Sequence, residues 1–126
     1  MPTPAAIRAT VDSYITAFTD SDRTGWLGCF APDATLEDPV GTEVRVGRQA
    51  IGEFFDSAQG MVESIRMEGT GPVRVAGDEA AFPFQIHTVV GGDRFVLDVI
   101  DVMSFDDDAR ITSMRAFWSF DDMRPE

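Results

Sequence analysis

The sequence holds one cysteine, one histidine and one tyrosine, and each scarcity excludes a class of chemistry. A lone Cys29 rules out an intrachain disulfide and fits a reducing cytoplasm. A lone His87 excludes the usual multi-histidine metal centres, so no metal is expected. Cationic residues are few: ten against 22 acidic ones, a net charge of −12 that disfavours nucleic acid and anionic membranes as partners. No apolar run approaches the ~20 residues needed to cross a bilayer, and Met1-Pro2-Thr3-Pro4 does not read as a signal peptide. A glycine-rich phosphate loop is missing too, because Gly69-Thr70-Gly71-Pro72 is too short and badly placed. There is no internal repeat and no low-complexity tract. What remains is ordinary globular material of 126 residues, 44% hydrophobic and 25% charged, enough for a single domain over 1–126.

The first half reads as helical. Thr3 before Pro4 supplies a cap and a first-turn proline, and Ile7, Val11, Tyr14, Ile15 and Phe18 then recur at helical spacing. Asp22 caps a shorter helix expected to hold Trp26, Leu27 and Phe30 and to stop before Pro32. A short strand over Thr35–Asp38 follows, with Pro39 biasing Asp38 to extended backbone. After a turn and the brief strand Val44-Arg45-Val46, a third helix carries Ile51, Phe54, Phe55 and Ala58. From about residue 62 the period becomes two, with strands expected near 62–69, 72–76, 79–89, 94–105 and 110–120. Ala76-Gly77-Asp78, Gly91-Gly92-Asp93 and Asp106-Asp107-Asp108 separate them, and the last acidic cluster reads as a solvated turn. Helices first and a meander afterwards give an α+β fold, three helices covering one face of a curved, mainly antiparallel sheet.

Two aspartates stand where the strand phase calls for apolar side chains. Asp101 shares its face with Phe95, Leu97, Val99, Met103 and Phe105, and Asp38 falls in phase with Ala34 and Leu36. A carboxylate forced into such a place must be paired or keep its proton, and one without a basic partner is a candidate catalytic group. The neighbouring strands add Phe82, Phe84 and Ile86, then Met114, Ala116 and Trp118, on one phase. That wall is either plain core or the lining of an apolar pocket into which Tyr14, Asp38 and Asp101 project. His87 and Arg115 take the opposite phase, so His87 is expected to be exposed or at an interface.

The chain resembles ketosteroid isomerase, the steroid Δ5-isomerase family, over nearly its whole length. The resemblance rests on Tyr14-Ile15, Asp33-Ala34-Thr35-Leu36-Glu37-Asp38-Pro39, Gly47-Arg48, Thr70-Gly71-Pro72-Val73-Arg74, Pro83-Phe84, Leu97-Asp98-Val99-Ile100-Asp101-Val102-Met103 and Met114-Arg115-Ala116-Phe117-Trp118-Ser119. It implies the cone-shaped nuclear-transport-factor-2-like fold, a homodimer, a 3-oxo-Δ5-steroid substrate and no cofactor. Carried over from the family, and not deduced from these residues, Asp38 is the general base while Tyr14 and protonated Asp101 stabilise the dienolate. Trp118 then orients the base, and Phe84, Val99, Met103, Met114 and Ala116 line the steroid slot. One departure stands out: Phe30 and Phe55 occupy positions where well-known members place two tyrosines that support the oxyanion-hole tyrosine. Competing expectations are an epoxide-hydrolase-like Asp–Arg–Asp set, a polyketide-cyclase-like Asp–His pair and a pocket that stores an apolar ligand. Arg115 and His87 lie on the wrong phase for the first two.

Overall fold

The computed structural model describes residues 1–126, and its elements follow from local signals. Helix α1 (Pro4–Thr19) starts where the Thr3 hydroxyl accepts from the Ala6 amide at 3.1 Å. Its stripe of Ile7, Val11, Tyr14, Ala17 and Phe18 is buried. Helix α2 (Arg23–Gly28) is capped by Asp22, whose carboxylate accepts from Gly25 at 3.0 Å. Then come β1 (Phe30–Glu37), β2 (Arg45–Val46) and α3 (Gly47–Gly60), with Ile51 and Phe55 facing the core. The second half supplies β3 (Ser64–Gly69), β4 (Arg74–Ala76), β5 (Glu79–Val90), β6 (Asp93–Phe105) and β7 (Ile111–Phe117). A 3-10 turn (Phe120–Asp122) and a short β8 (Met123–Pro125) follow.

One sheet gathers all the strands in the order β2-β1-β7-β6-β5-β3, with β4 paired to β5 and β8 to β6. Every pairing is antiparallel except β1 with β7, so the sheet is mainly antiparallel as expected. The long β5–β6 hairpin turns at Gly91 and Gly92, both with positive φ, as a two-residue turn of this type demands. Three helices lie on one face, and the core between them and the sheet runs from Ile7 through Trp26 and Ile51 to Met103 and Ile111.

Two sequence expectations need correction. Phe30 is not helical: α2 stops at Gly28, and Phe30 opens β1 opposite Ile111 of β7. The Ile111 amide donates to the Cys29 carbonyl at 2.8 Å, so the chain is already committed to the sheet there. The last strand also ends earlier than 120. Trp118 lies beyond β7, because the chain turns at Ser119–Asp122 and comes back as β8 against β6.

Candidate active site

Each reacting group is delivered by a different element. Tyr14 projects from the buried stripe of α1. Asp101 sits at the centre of β6, between Phe82 on β5 and Ala116 on β7, and is completely buried. Asp38 follows β1 in a turn that outward-facing Glu37 holds in place. The Glu37 carboxylate accepts from the Gly41 amide and the Arg115 guanidinium, each at 3.1 Å, and these partners lower its pKa. Val40 donates to the Ala116 carbonyl at 2.8 Å and ties the same turn to β7. Asp38 is thus pointed inward, where the Trp118 indole N–H donates to its Oδ1 at 2.7 Å.

Tyr14 and Asp38 line a cavity of about 390 Å³ walled by 20 residues, 15 of them hydrophobic, whereas Asp101, expected to project into it, is enclosed next to Tyr14 and does not reach the lining. That size and character suit a small apolar molecule. Tyr14, Asp38 and Trp118 line it, with Phe84 and Val99 as expected. Met103, Met114 and Ala116 do not. They are fully buried, and they correct the expected lining: strand phase identifies the face a side chain occupies but not its depth. Beyond Val99 the β6 residues run beneath the cavity floor, and Met103 packs opposite Met114 in the core. Asp101 lies at this transition. Both its carboxyl oxygens are enclosed without a hydrogen-bond partner.

Electrostatics separate the two acids. Burial pushes the Asp101 carboxyl well above the ordinary value, and the nearby Asp38 charge adds to the shift. Tyr14 faces Asp101 and influences its ionisation, yet no hydrogen bond of ordinary geometry closes between them. The tyrosine hydroxyl is likewise pushed well up, by burial first and then by Asp101 and Asp38. Burial also raises Asp38, but the Trp118 indole and the Arg45 guanidinium counteract it. Burial thus favours the protonated, donating forms of Tyr14 and Asp101, whereas the Trp118 and Arg45 contacts favour the ionised form of Asp38. An enolate with a developing oxyanion needs this division of roles.

Sequence reasoning missed Trp26 as a neighbour of Tyr14, whereas the family resemblance had already set Phe30 beside it. Trp26 packs on Tyr14 with ring centroids 5.7 Å apart, and Phe30 meets Tyr14 edge-on at 6.1 Å. Phe55 reaches the tyrosine through Trp26 and Phe18, at 5.2 and 5.6 Å, so rings stand where hydroxyls would form a chain. The periodicity of α2 placed Trp26 inward, but contact with Tyr14 depends on how α1 and α2 cross. Arg45, on a two-residue strand too short to show a phase, lines the cavity with its guanidinium 5.5 Å from the Phe54 ring. It acts on Asp38 but makes no contact with Asp101, so no arginine bridges the two acids. Arg115 pairs outside with Glu37, as its phase requires. His87 also lies on the outer face. There it is covered rather than exposed, its Nδ1 3.0 Å from Glu126 and its Nε2 3.4 Å from Glu68. No cluster of residues suits a metal ion.

The SnoaL-like domain model matches residues 11–114. A curated steroid Δ-isomerase of Nocardioides simplex is 42% identical over 119 residues, covering 94% of each chain. Among solved structures, that of SalBIII superposes with a TM-score of 0.91 at 26% identity over the full length of both chains. SalBIII is described as an epoxide hydrolase/cyclase-like enzyme in pyran ring formation in the polyether salinomycin. RV0760c from Mycobacterium tuberculosis superposes at 0.86 with 24% identity, again over both full lengths, a likeness of fold alone.

Proposed function

The chain belongs to the SnoaL-like, nuclear-transport-factor-2-like family that includes steroid Δ-isomerases, and from that premise we infer that it is itself a steroid Δ5-isomerase. It converts a 3-oxo-Δ5-steroid into the 3-oxo-Δ4 isomer. The observation that carries this reading is the fully buried, unpartnered Asp101 carboxyl beside Tyr14, which lines an apolar cavity together with Asp38.

The substrate enters with its C3 oxygen toward Tyr14 and Asp101. Ionised Asp38 removes a proton from C4; the C–H electrons form a C3–C4 double bond as negative charge moves to the C3 oxygen. Tyr14 and neutral Asp101 donate to that oxygen, more strongly as its charge grows. The proton on Asp38 then goes to C6, which leaves the double bond between C4 and C5. Trp118 holds the base carboxylate in line through its 2.7 Å hydrogen bond. The reaction is redox-neutral and keeps the proton within the site, so this reading uses no cofactor. It includes a homodimer and a cytoplasmic setting as further inferences.

An epoxide-hydrolase-like reading needs an arginine joining two ionised acids, and Asp101 is neither bridged nor held ionised. The test is conversion of 5-androstene-3,17-dione, followed by the ultraviolet absorbance of the conjugated product. Asp38→Asn keeps the side chain's size and loses the base. It is expected to lower kcat by at least ~10²-fold while leaving binding of a phenolic steroid unchanged. A variant retaining more than about a tenth of the wild-type rate overturns the assignment of Asp38.

A further inference from the structure

Asp38 is a base that must stand charged among apolar side chains. Of the 20 residues that line the cavity, Tyr14, Asp38 and Arg45 alone carry ionisable groups, so Arg45 is its one positive charge. Base and cation arrive on the same hairpin. Arg45 on β2 lies opposite Leu36 on β1, and Asp38 follows Leu36 by two residues. Such diagonal positions are ~7–8 Å apart, within reach of a long side chain. Thr42 closes the connecting turn, its amide and hydroxyl both donating to the Pro39 carbonyl, at 3.1 and 2.7 Å. The turn therefore holds the two groups at a fixed spacing.

The guanidinium is kept near Asp38 but not against it. Arg115 meets Glu37 and Arg124 meets Asp98 in direct ion pairs, whereas half-buried Arg45 lies over the Phe54 ring, 5.5 Å from its centroid. A cation over a ring face is attracted to it, so the ring acts as a shelf. This stand-off has a chemical use. A contact ion pair would hold the carboxylate ionised but weaken it as a base, whereas a charge slightly further off offsets desolvation and leaves the oxygens free. The Trp118 indole engages Oδ1, and Oδ2 stays open to take a proton. No other side chain on the cavity wall supplies positive charge to Asp38. Tyr14 from α1 lines the wall beside it and Asp101 from β6 lies enclosed nearby, and each is held toward its protonated form by burial and by the Asp38 charge. Helix α3 and strands β3 and β5 present no charged side chain to the cavity.

We propose that Arg45 is a positioning residue for the isomerisation: its guanidinium, laid on the Phe54 ring, is the counter-charge that lets Asp38 stand as a free carboxylate inside the apolar cavity. The proposal rests on the isomerase reading. Asp38 loses its charge when it takes the C4 proton and regains it when C6 receives that proton, so the fixed cation favours the state in which each cycle begins. Without it, a carboxylate buried in a protein of net charge −12 keeps its proton to higher pH.

The test sets Arg45→Met, which keeps a long apolar stem, beside Arg45→Lys, which keeps the charge. kcat/KM for 5-androstene-3,17-dione is measured at pH 5 and pH 8, and the ratio of the two cancels any uniform loss of binding. Arg45→Met is expected to increase the pH 8 to pH 5 ratio by ~3-fold or more, because a nearby opposite charge shifts a carboxyl equilibrium by ~10-fold or more. Arg45→Lys is expected to return the ratio toward wild type. The carbon-13 shift of the Asp38 carboxyl, assigned against Asp38→Asn, follows the same equilibrium without substrate. Its midpoint is expected to rise in Arg45→Met and to stay near wild type in Arg45→Lys, and the same spectra show that each variant is folded. An equal loss at both pH values with an unmoved Asp38 midpoint makes Arg45 no more than cavity wall and overturns the proposal. An Arg45→Lys variant that behaves as Arg45→Met does overturns it as well. A wild type that leaves the steroid unchanged overturns the isomerase reading instead, and the substrate-free titration still decides whether Arg45 governs the Asp38 charge.

Discussion

Asp101 concentrates the conflict between stability and chemistry in this protein. Its unfolded form ionises near the ordinary carboxylate pKa of ~3.9, whereas burial keeps the folded form protonated well above that. As pH rises through this window the unfolded chain binds fewer protons than the folded one, so stability is fully present on the acid side and declines toward the raised value. Asp101→Leu is expected to abolish that decline and to raise stability at pH 7 by about 1–3 kcal/mol, the cost of an enclosed unsatisfied polar group. Urea unfolding at pH 4 and pH 7 reads both effects. The same variant should lose ~10²–10³-fold in kcat as an oxyanion donor disappears. The rising limb of kcat/KM against pH belongs instead to Asp38, with a midpoint above the ordinary carboxylate value. Greater stability with no loss of rate would remove Asp101 from the mechanism. Asp101 was legible from its phase alone, since nothing else polar shared its face. Trp26 as a neighbour of Tyr14 was not, because that contact depends on how two helices cross.

At the scale of elements, the antiparallel meander was readable because alternation and glycine turns report directly on strands. The two failures occurred at ends. Phe30 satisfied the apolar pattern of α2, yet its backbone lies in β1, and its carbonyl accepts from the Arg48 guanidinium, at 3.1 Å from Nε. Arg48 thus fastens the start of α3 to the start of β1, across 18 residues that include the turn carrying Asp38. Phe30 is fully buried, so Arg48→Met leaves a carbonyl there without a partner. The expected cost is about 1–3 kcal/mol, read as a lower urea midpoint. An unchanged midpoint would show that water or another donor takes over the role. No sequence pattern announced this bond, because a side chain reaching a distant carbonyl leaves no periodicity.

The whole molecule presents two opposite faces. The concave side of the sheet holds the helices and the cavity. The outward side shows Ile100 at 50% exposure and Phe117 at 42%, an adjacent pair in the β6–β7 register, framed by the Arg115–Glu37 and Arg124–Asp98 ion pairs. Self-association through this face is the expected basis of the homodimer. Sedimentation equilibrium should then give twice the 13.8 kDa chain mass, and Ile100→Asp should return it to one. A wild type that sediments as a single chain would refute the dimer. The architecture was legible because each half has its own period, whereas the depth of the cavity was not, since depth emerges only when distant elements close over one another. Tyr14, Asp38, Asp101 and Trp118 are spread across most of the sequence, and the bond that orients the base joins residues 80 positions apart. During synthesis, a nascent chain that has reached Phe117 already carries both acids and the tyrosine. It still lacks Trp118, Phe120 and Met123, which complete one wall of the cavity. The ribosome therefore delivers the reacting groups first and the enclosure that makes them useful afterwards.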